Sequence, residues 1–250
     1  MKLLFEFFDV PALYICQQTV MSLNASNGRV SGCIIDIGHS RTDIIPVYHN
    51  FVLVHASMKM EIAGNEVTNY LSKVLTNRGY NFKNDPNLAL LINDLKENIC
   101  FVQTMENKST SFTTSAQYEC PDGQLISVRD ECFECCEVFF EPSLVGKDSV
   151  PIQNCIINSI KKCQDDIQID LLKACVLVGG SSLFRGFQER LQEELNREKI
   201  EAEVIALQQR HQASWTGASL IASLATFQSS WICRHEYDFS QDRSLLCNFE

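Results

Sequence analysis

Basic charge is what the sequence most conspicuously lacks. Only 21 Lys and Arg stand against 31 Asp and Glu, giving a net charge of −10 and a pI near 5.0. No Lys/Arg-rich run appears, so a surface that neutralises the phosphates of DNA or RNA is excluded and nucleic acid is not expected as a direct partner. Long apolar runs are missing too. Residues 1–8 are largely apolar, but Glu6 and Asp9 interrupt them before a secretory core could form, and no stretch has the length of a membrane-spanning helix. The expectation is a cytoplasmic protein with no membrane insertion, the nucleus being the alternative compartment. Linkers, low-complexity tracts and short-period repeats are also absent.

Cysteine is plentiful, with twelve in 250 residues. Cys33, Cys100 and Cys175 sit inside apolar patterns, where a reduced thiol serves as a small hydrophobe. Without secretion there is no basis for a disulfide map. Cys132, Cys135 and Cys136 form a CxxCC cluster that could chelate zinc, yet the nearest further ligand is Cys120 and no His lies alongside. No zinc is therefore expected. The sequons at Asn24 and Asn107 are incidental on the same reasoning.

With an apolar share of 45%, the chain suits an ordinary globular protein of one large domain or two smaller ones. Its organising stretch is 32–47, GCIIDIGHSRTDIIPV. A β-branched run ends in Asp36-Ile37-Gly38, residues 39–42 supply a turn, and a second apolar run follows, so a β-hairpin over 30–47 is predicted with a carboxylate at its rim. Such a carboxylate can hold a hydrated metal ion, and the following N–H groups can curl around phosphate, though capping a turn is the blander role. Residues 174–180, ACVLVGG, read as a buried strand ending in a double glycine. Phe184, Phe187, Leu191 and Leu195 then recur at helical spacing. Strand, double glycine and helix together let backbone approach a nucleotide closely.

Elsewhere, residues 3–16 read as a strand running into a turn, 17–26 as a helix, and 51–56 as a third strand of the meander. Helices are expected over 63–78, from an Asp85-Pro86 start through the stripe Leu88 to Ile99, around Ile152 to Ile160, at 165–172, and over 213–227. Pro121-Asp122-Gly123 marks a hairpin turn, and 200–207 alternate as a strand should. Residues 103–117 read as a loop. The aromatics of 130–146 are expected mainly in the core.

Residue blocks along nearly the whole chain resemble the actin family in order and spacing. They include LLFEFFDVPALYI at the start, the two stretches above, IAGNEVTNYL at 62–71, LTNRGYNF at 75–82, NDLKENICFV at 93–102, PDGQLISV at 121–128, FFEPSLVG at 139–146, LVGGSSLFRGF at 177–187 and WTGASLIASLATFQSSWI at 215–232. The resemblance implies an α/β, actin-like (ribonuclease H-like) fold that holds ATP and Mg²⁺ between two similar halves. On it, Gln18 stands at the water-orienting, catalytic position. Asp36, Gly38, His39 and Ser40 form the phosphate and metal side, with Asp36 meeting metal through water. Lys96, Glu97, Gly179, Gly180, Ser181, Phe184 and His211 stand at the nucleotide-binding positions.

The resemblance also has departures. The chain aligns from after the family's first phosphate hairpin, which implies loss of that loop with its carboxylate and lysine. The expected division is 1–26 as a remnant of the first half with a hinge helix, 27–206 as the second half, and 207–250 as a helical segment packing on the first half. His39 and Ser40 replace the family's second Asp and second Gly, Asp43 replaces its downstream His, His211 replaces a Lys, and Phe184 replaces a Tyr. A side chain at Ser40 restricts the backbone where phosphate must approach, and Asp43 repels an anion unless a metal intervenes. The implied function is an actin-like cytoskeletal interaction protein with weak or lost ATP binding, and ATPase activity is not expected of this chain alone. The alternative is a slowly hydrolysing ATP-binding protein completed by a partner chain or a longer version. Actin, another cytoskeletal protein or a second copy of the chain is the expected partner.

Overall fold

The predicted hairpin forms the middle of a mixed sheet in the computed structural model, which describes residues 1–80, 88–105, 116–119 and 125–240. In chain order the elements begin with β1 (Ala12–Leu13), α1 (Gln18–Asn24), β2 (Gly32–Ile37), β3 (Thr42–Tyr48), β4 (Phe51–Val52) and β5 (Met58–Met60). Next come α2 (Gly64–Asn77), α3 (Leu88–Ile99), β6 (Ala116–Glu119), β7 (Leu125–Val128), α4 (Glu131–Glu134), α5 (Ile152–Lys161) and α6 (Asp165–Leu172). The last are β8 (Cys175–Val178), α7 (Phe187–Arg197), β9 (Val204–Ala206), α8 (Ala213–Ala222), β10 (Ile232–Cys233) and α9 (Arg234–Ser240).

The central sheet has the order β4-β3-β2-β8-β9, with β5 also pairing β3. β2 and β3 are antiparallel, with Gly32 opposite Val47 and Ile37 opposite Thr42. β2, β8 and β9 are parallel, as buried β-branched runs reached through helical crossovers should be. Side chains alternate across this sheet. Cys33, Ile35, Ile37, Cys175 and Leu177 join the larger core, built with α2, α3, α5, α6 and α7. Ile34, Val176 and Val178 face a smaller core closed by Val20, Met21 and Leu23 of α1 and Ala213 of α8. Val138, Phe139 and Phe140 are buried, and Phe139 meets the Phe187 ring edge-on at 5.4 Å, as the core reading of those aromatics requires.

Several expectations need correction. Leu3–Phe7 is a π-helical turn rather than a strand, and only Ala12–Leu13 pairs, with Ile232–Cys233. The run LLFEFF has no strand partner among the described residues, so its backbone bonds within itself. The third strand stops at Val52, and Val54–Ala56 is a 3₁₀ turn. The pairing of β3 is resumed by Met58–Met60, whose short alternation with Lys59 and Glu61 was not singled out in the sequence. The helix expected over 213–227 ends at Ala222 and continues as a 3₁₀ segment, Ala225–Ser230. Asp85-Pro86, Asn107, Cys120 and the 121–123 turn lie outside the described residues, although β6 and β7 on either side of that turn pair as a hairpin.

Candidate functional site

Because β2 and β8 run parallel with Asp36 beside Val178, the turns at their carboxyl ends open side by side. Gly179 has φ +87°, and a Cβ there would run into the Ile37 carbonyl oxygen and lie 2.6 Å from Asp36 Oδ1. Only glycine lets the turn close against the Asp36 carboxylate.

At the hairpin tip the backbone groups are already engaged. The Gly38 N–H donates to the Arg41 carbonyl at 3.1 Å, while the Gly38 carbonyl accepts from the Gly64 N–H at 3.0 Å and from Ser181 Oγ at 3.0 Å. The His39 carbonyl accepts from the Asn65 N–H at 2.7 Å. The first N–H groups of α2, which elsewhere could receive an anion, thus end on the hairpin. Asp36 and Asp43 stand directly opposite across the two strands, a destabilising placement for like charges. Arg41 Nε holds Asp43 at 2.7 Å, and Gln18 Nε2 donates to Asp36 Oδ2 at 3.4 Å. Burial first, and then Asp43, push the Asp36 carboxyl up from the usual carboxylate range, with Arg41 acting against them.

Beside this rim lies a cavity of about 760 Å³ lined by His39, Lys96, Glu97, Asn98, Cys100, Gly180, Ser181, Leu183, Phe184, Arg185 and His211. Lys96 is buried in its wall, and its ammonium donates to Thr68 Oγ1 at 3.0 Å, Asn93 Oδ1 at 3.1 Å and the Gly64 carbonyl at 3.4 Å. Burial pulls its pKa down, opposed by Glu97. Phe184 is buried and packs toward Phe139, with ring centroids 6.4 Å apart, so it is as much core as cavity wall. Arg210, next to His211, clamps the double-glycine turn. Its guanidinium donates to the Ser182 carbonyl at 2.6 Å, to Ser182 Oγ at 3.0 Å and to the Leu207 carbonyl at 3.1 Å.

The cavity therefore gathers His39, Lys96, Glu97, Gly180, Ser181, Phe184 and His211 from four separate stretches. Gln18 and Asp36 meet at the rim, with Gly38 and Gly179 beside them, and Ser40 is exposed at the hairpin tip. None of these five lines the cavity. Arg210 was not singled out in the sequence, and neither were Arg185, Asn98 and Cys100 as cavity residues. Their neighbours in the chain (His211, Phe184, Glu97) were the only signal.

Tested against ATP and Mg²⁺, the two sides of the site differ. The cavity side offers a concave wall with an aromatic edge, a cation and flexible glycine backbone, which suits a planar base with its sugar. The rim has few free groups for a metal-polyphosphate: Asp43 is already paired with Arg41, Asp36 accepts from Gln18, and the Gly38 N–H is spent on the Arg41 carbonyl. Among the described residues no group of three or more His, Cys, Asp or Glu is placed to hold a metal ion, and no helix is long and apolar enough to cross a membrane. The family model for Actin matches residues 1–244. With that match over nearly its whole length and a mixed parallel and antiparallel sheet flanked by helices, the chain belongs to the actin family and has an actin-like α/β fold.

Proposed function

We propose that this member of the actin family is a non-catalytic interaction protein of the cytoskeleton in which ATP binding is weak or lost. The reading is carried by the register of the central hairpin, which sets Asp36 and Asp43 opposite each other at the rim where a phosphate chain would have to lie. Without a metal between, these carboxylates repel an anion, and Arg41 offsets chiefly Asp43. The backbone donor at Gly38, which could compensate, is turned inward. The partner is actin, another cytoskeletal protein or a second copy of the chain. The large apolar side chains exposed at both ends, among them Phe7, Phe8, Leu220 and Leu224, support that choice.

Titration of the purified chain with a fluorescent ATP analogue and Mg²⁺ tests the proposal. No saturable binding is expected. If adenine-side contacts hold a nucleotide at all, ATP, ADP and AMP will differ by less than the roughly 1.4 kcal/mol that makes a factor of ten. A strong preference for Mg-ATP would overturn the reading. It would favour the alternative of a slowly hydrolysing ATP-binding protein completed by a partner chain or a longer version, for which the Gln18–Asp36 hydrogen bond is the supporting observation.

A further inference from the structure

Four cysteines converge where the end of α3 meets α4. Cys100 follows α3, Cys132 lies in α4, and Cys135 and Cys136 follow it. All four are buried, and all are free thiols. The Cys135 thiol donates to Cys100 Sγ with the two sulfurs 3.5 Å apart, and Cys136 Sγ lies 3.9 Å from Cys135 Sγ. Cys132 points elsewhere, to the Arg129 carbonyl at 2.7 Å. The two segments are fastened by main chain, the Phe101 N–H donating to the Cys132 carbonyl at 3.0 Å. Their separation is thus fixed by the fold rather than by the thiols.

We propose that Cys100 and Cys135 form a reversible redox modification site, oxidised by a peroxide to a disulfide that reshapes the wall of the neighbouring cavity. Of the four thiols only Cys100 lines that cavity, so an oxidant entering it meets this sulfur first. The peroxide oxygen transfers to the Cys100 sulfur, giving a sulfenic acid and one water. The Cys135 sulfur then displaces the hydroxyl group, which leaves as a second water with the Cys135 proton, and the S–S bond forms. Two thiols lose two electrons in total, and the peroxide gains them. Bonding brings the sulfurs from 3.5 Å to about 2.05 Å. That is a side-chain adjustment on a backbone already held in place.

The reaction is slow compared with that of an exposed thiol. The contact with Cys135 together with burial raises the Cys100 pKa, and Lys96 only partly offsets this; burial likewise holds Cys135 protonated. The product is correspondingly protected. Once closed, it ties residues 100 and 135 and draws the Cys100 side chain toward α4, away from the cavity it shares with Lys96 and Phe184. The inference stands whether or not that cavity takes a nucleotide.

The test is to expose the folded full-length chain to hydrogen peroxide, block remaining thiols by alkylation, and map unreduced tryptic peptides. Cleavage at Lys96, Lys108, Arg129 and Lys147 places Cys100 in peptide 97–108 and Cys135 in peptide 130–147. The expected product is a linked pair about 2 Da lighter than the sum of its parts, fragmenting to a Cys100–Cys135 bond and separated again by dithiothreitol. Cys135→Ser abolishes the link, while Cys132→Ser and Cys136→Ser retain it. Alkylation of Cys100 and Cys135 after oxidation, a bond from Cys100 to Cys132 or Cys136 instead, or direct passage of Cys100 to sulfinic acid would each overturn the proposal. Because the wild-type map and the Cys136→Ser map decide the question alone, a Cys135→Ser variant that fails to fold does not blunt it.

Discussion

At the scale of single residues, the site depends on one glycine far more than on its neighbour. Gly179 combines φ +87° with a Cβ position blocked by the Ile37 carbonyl and Asp36, whereas a Cβ on Gly180 meets nothing within 4 Å. Gly179→Ala is expected to lose about 1–3 kcal/mol of stability, and Gly180→Ala to stay within about 0.5 kcal/mol of wild type. Urea unfolding of the two variants checks the contrast, and equal losses would mean that the turn yields. Asp36, Gly38 and the double glycine were legible in the sequence because each punctuates an apolar run. Arg210 was not. Its function comes from the Ser182 and Leu207 carbonyls, one of them 28 residues away in sequence, and no local pattern marks an arginine for that task.

At the scale of elements, long periodic segments were readable and short ones were not. α2, α5, α6 and the β2–β3 hairpin fell within a few residues of expectation because each carries an apolar face that the sheet or its neighbours bury. Leu3–Phe7, Val54–Ala56 and Ala225–Ser230 turned out to be π or 3₁₀ turns, forms that local hydrogen bonding decides and apolar periodicity does not report. The contact between α1 and α8 was equally hidden. It rests on Gly217, whose missing side chain lets α8 approach the Met21 carbonyl so closely that a Cβ would overlap it and sit 3.1 Å from the Ala25 nitrogen. Gly217→Ala should force the two helices apart at a loss of about 1–3 kcal/mol, read as a lower thermal midpoint. An unchanged midpoint would show that α8 can slide without penalty.

At the scale of the whole molecule, the two ends of the described chain hold each other. β1 pairs with β10, the Phe5 and Tyr237 rings stack at 4.7 Å, and the Tyr237 hydroxyl donates to Glu6 Oε1 at 3.0 Å. Yet Leu3, Phe7 and Phe8 remain 60–76% exposed, with Leu220 and Leu224 near half. Fully burying even four such side chains is worth on the order of 6–12 kcal/mol before entropy is subtracted, comparable to a domain's entire stability. The chain is therefore expected to self-associate or to co-purify with a partner over these ends, and Phe8→Asp with Leu224→Asp to weaken the association while leaving the fold intact. Sedimentation at falling concentration is the check. A strictly monomeric wild-type protein that ignores hydrophobic dyes would contradict it. The sequence pointed to these ends through the family resemblance. It did not reveal that α1 and α8 also seal the second face of the sheet over Ile34, Val176 and Val178, so a cut at residues 27 and 206 would open that face.

The anchoring of α2 on the hairpin has a mechanical side. The Gly38 and His39 carbonyls hold the helix at its first two residues, and the Gly64 carbonyl in turn receives Lys96 from α3. A helix of 14 residues is about 21 Å long and stiff over that length. The far end is held as well, with Leu75 fully buried and Arg78 paired with Glu131. The helix is thus a rod braced at both ends, and strain placed on the hairpin tip by a substituted His39 is carried along it to the start of α4 rather than absorbed at the rim.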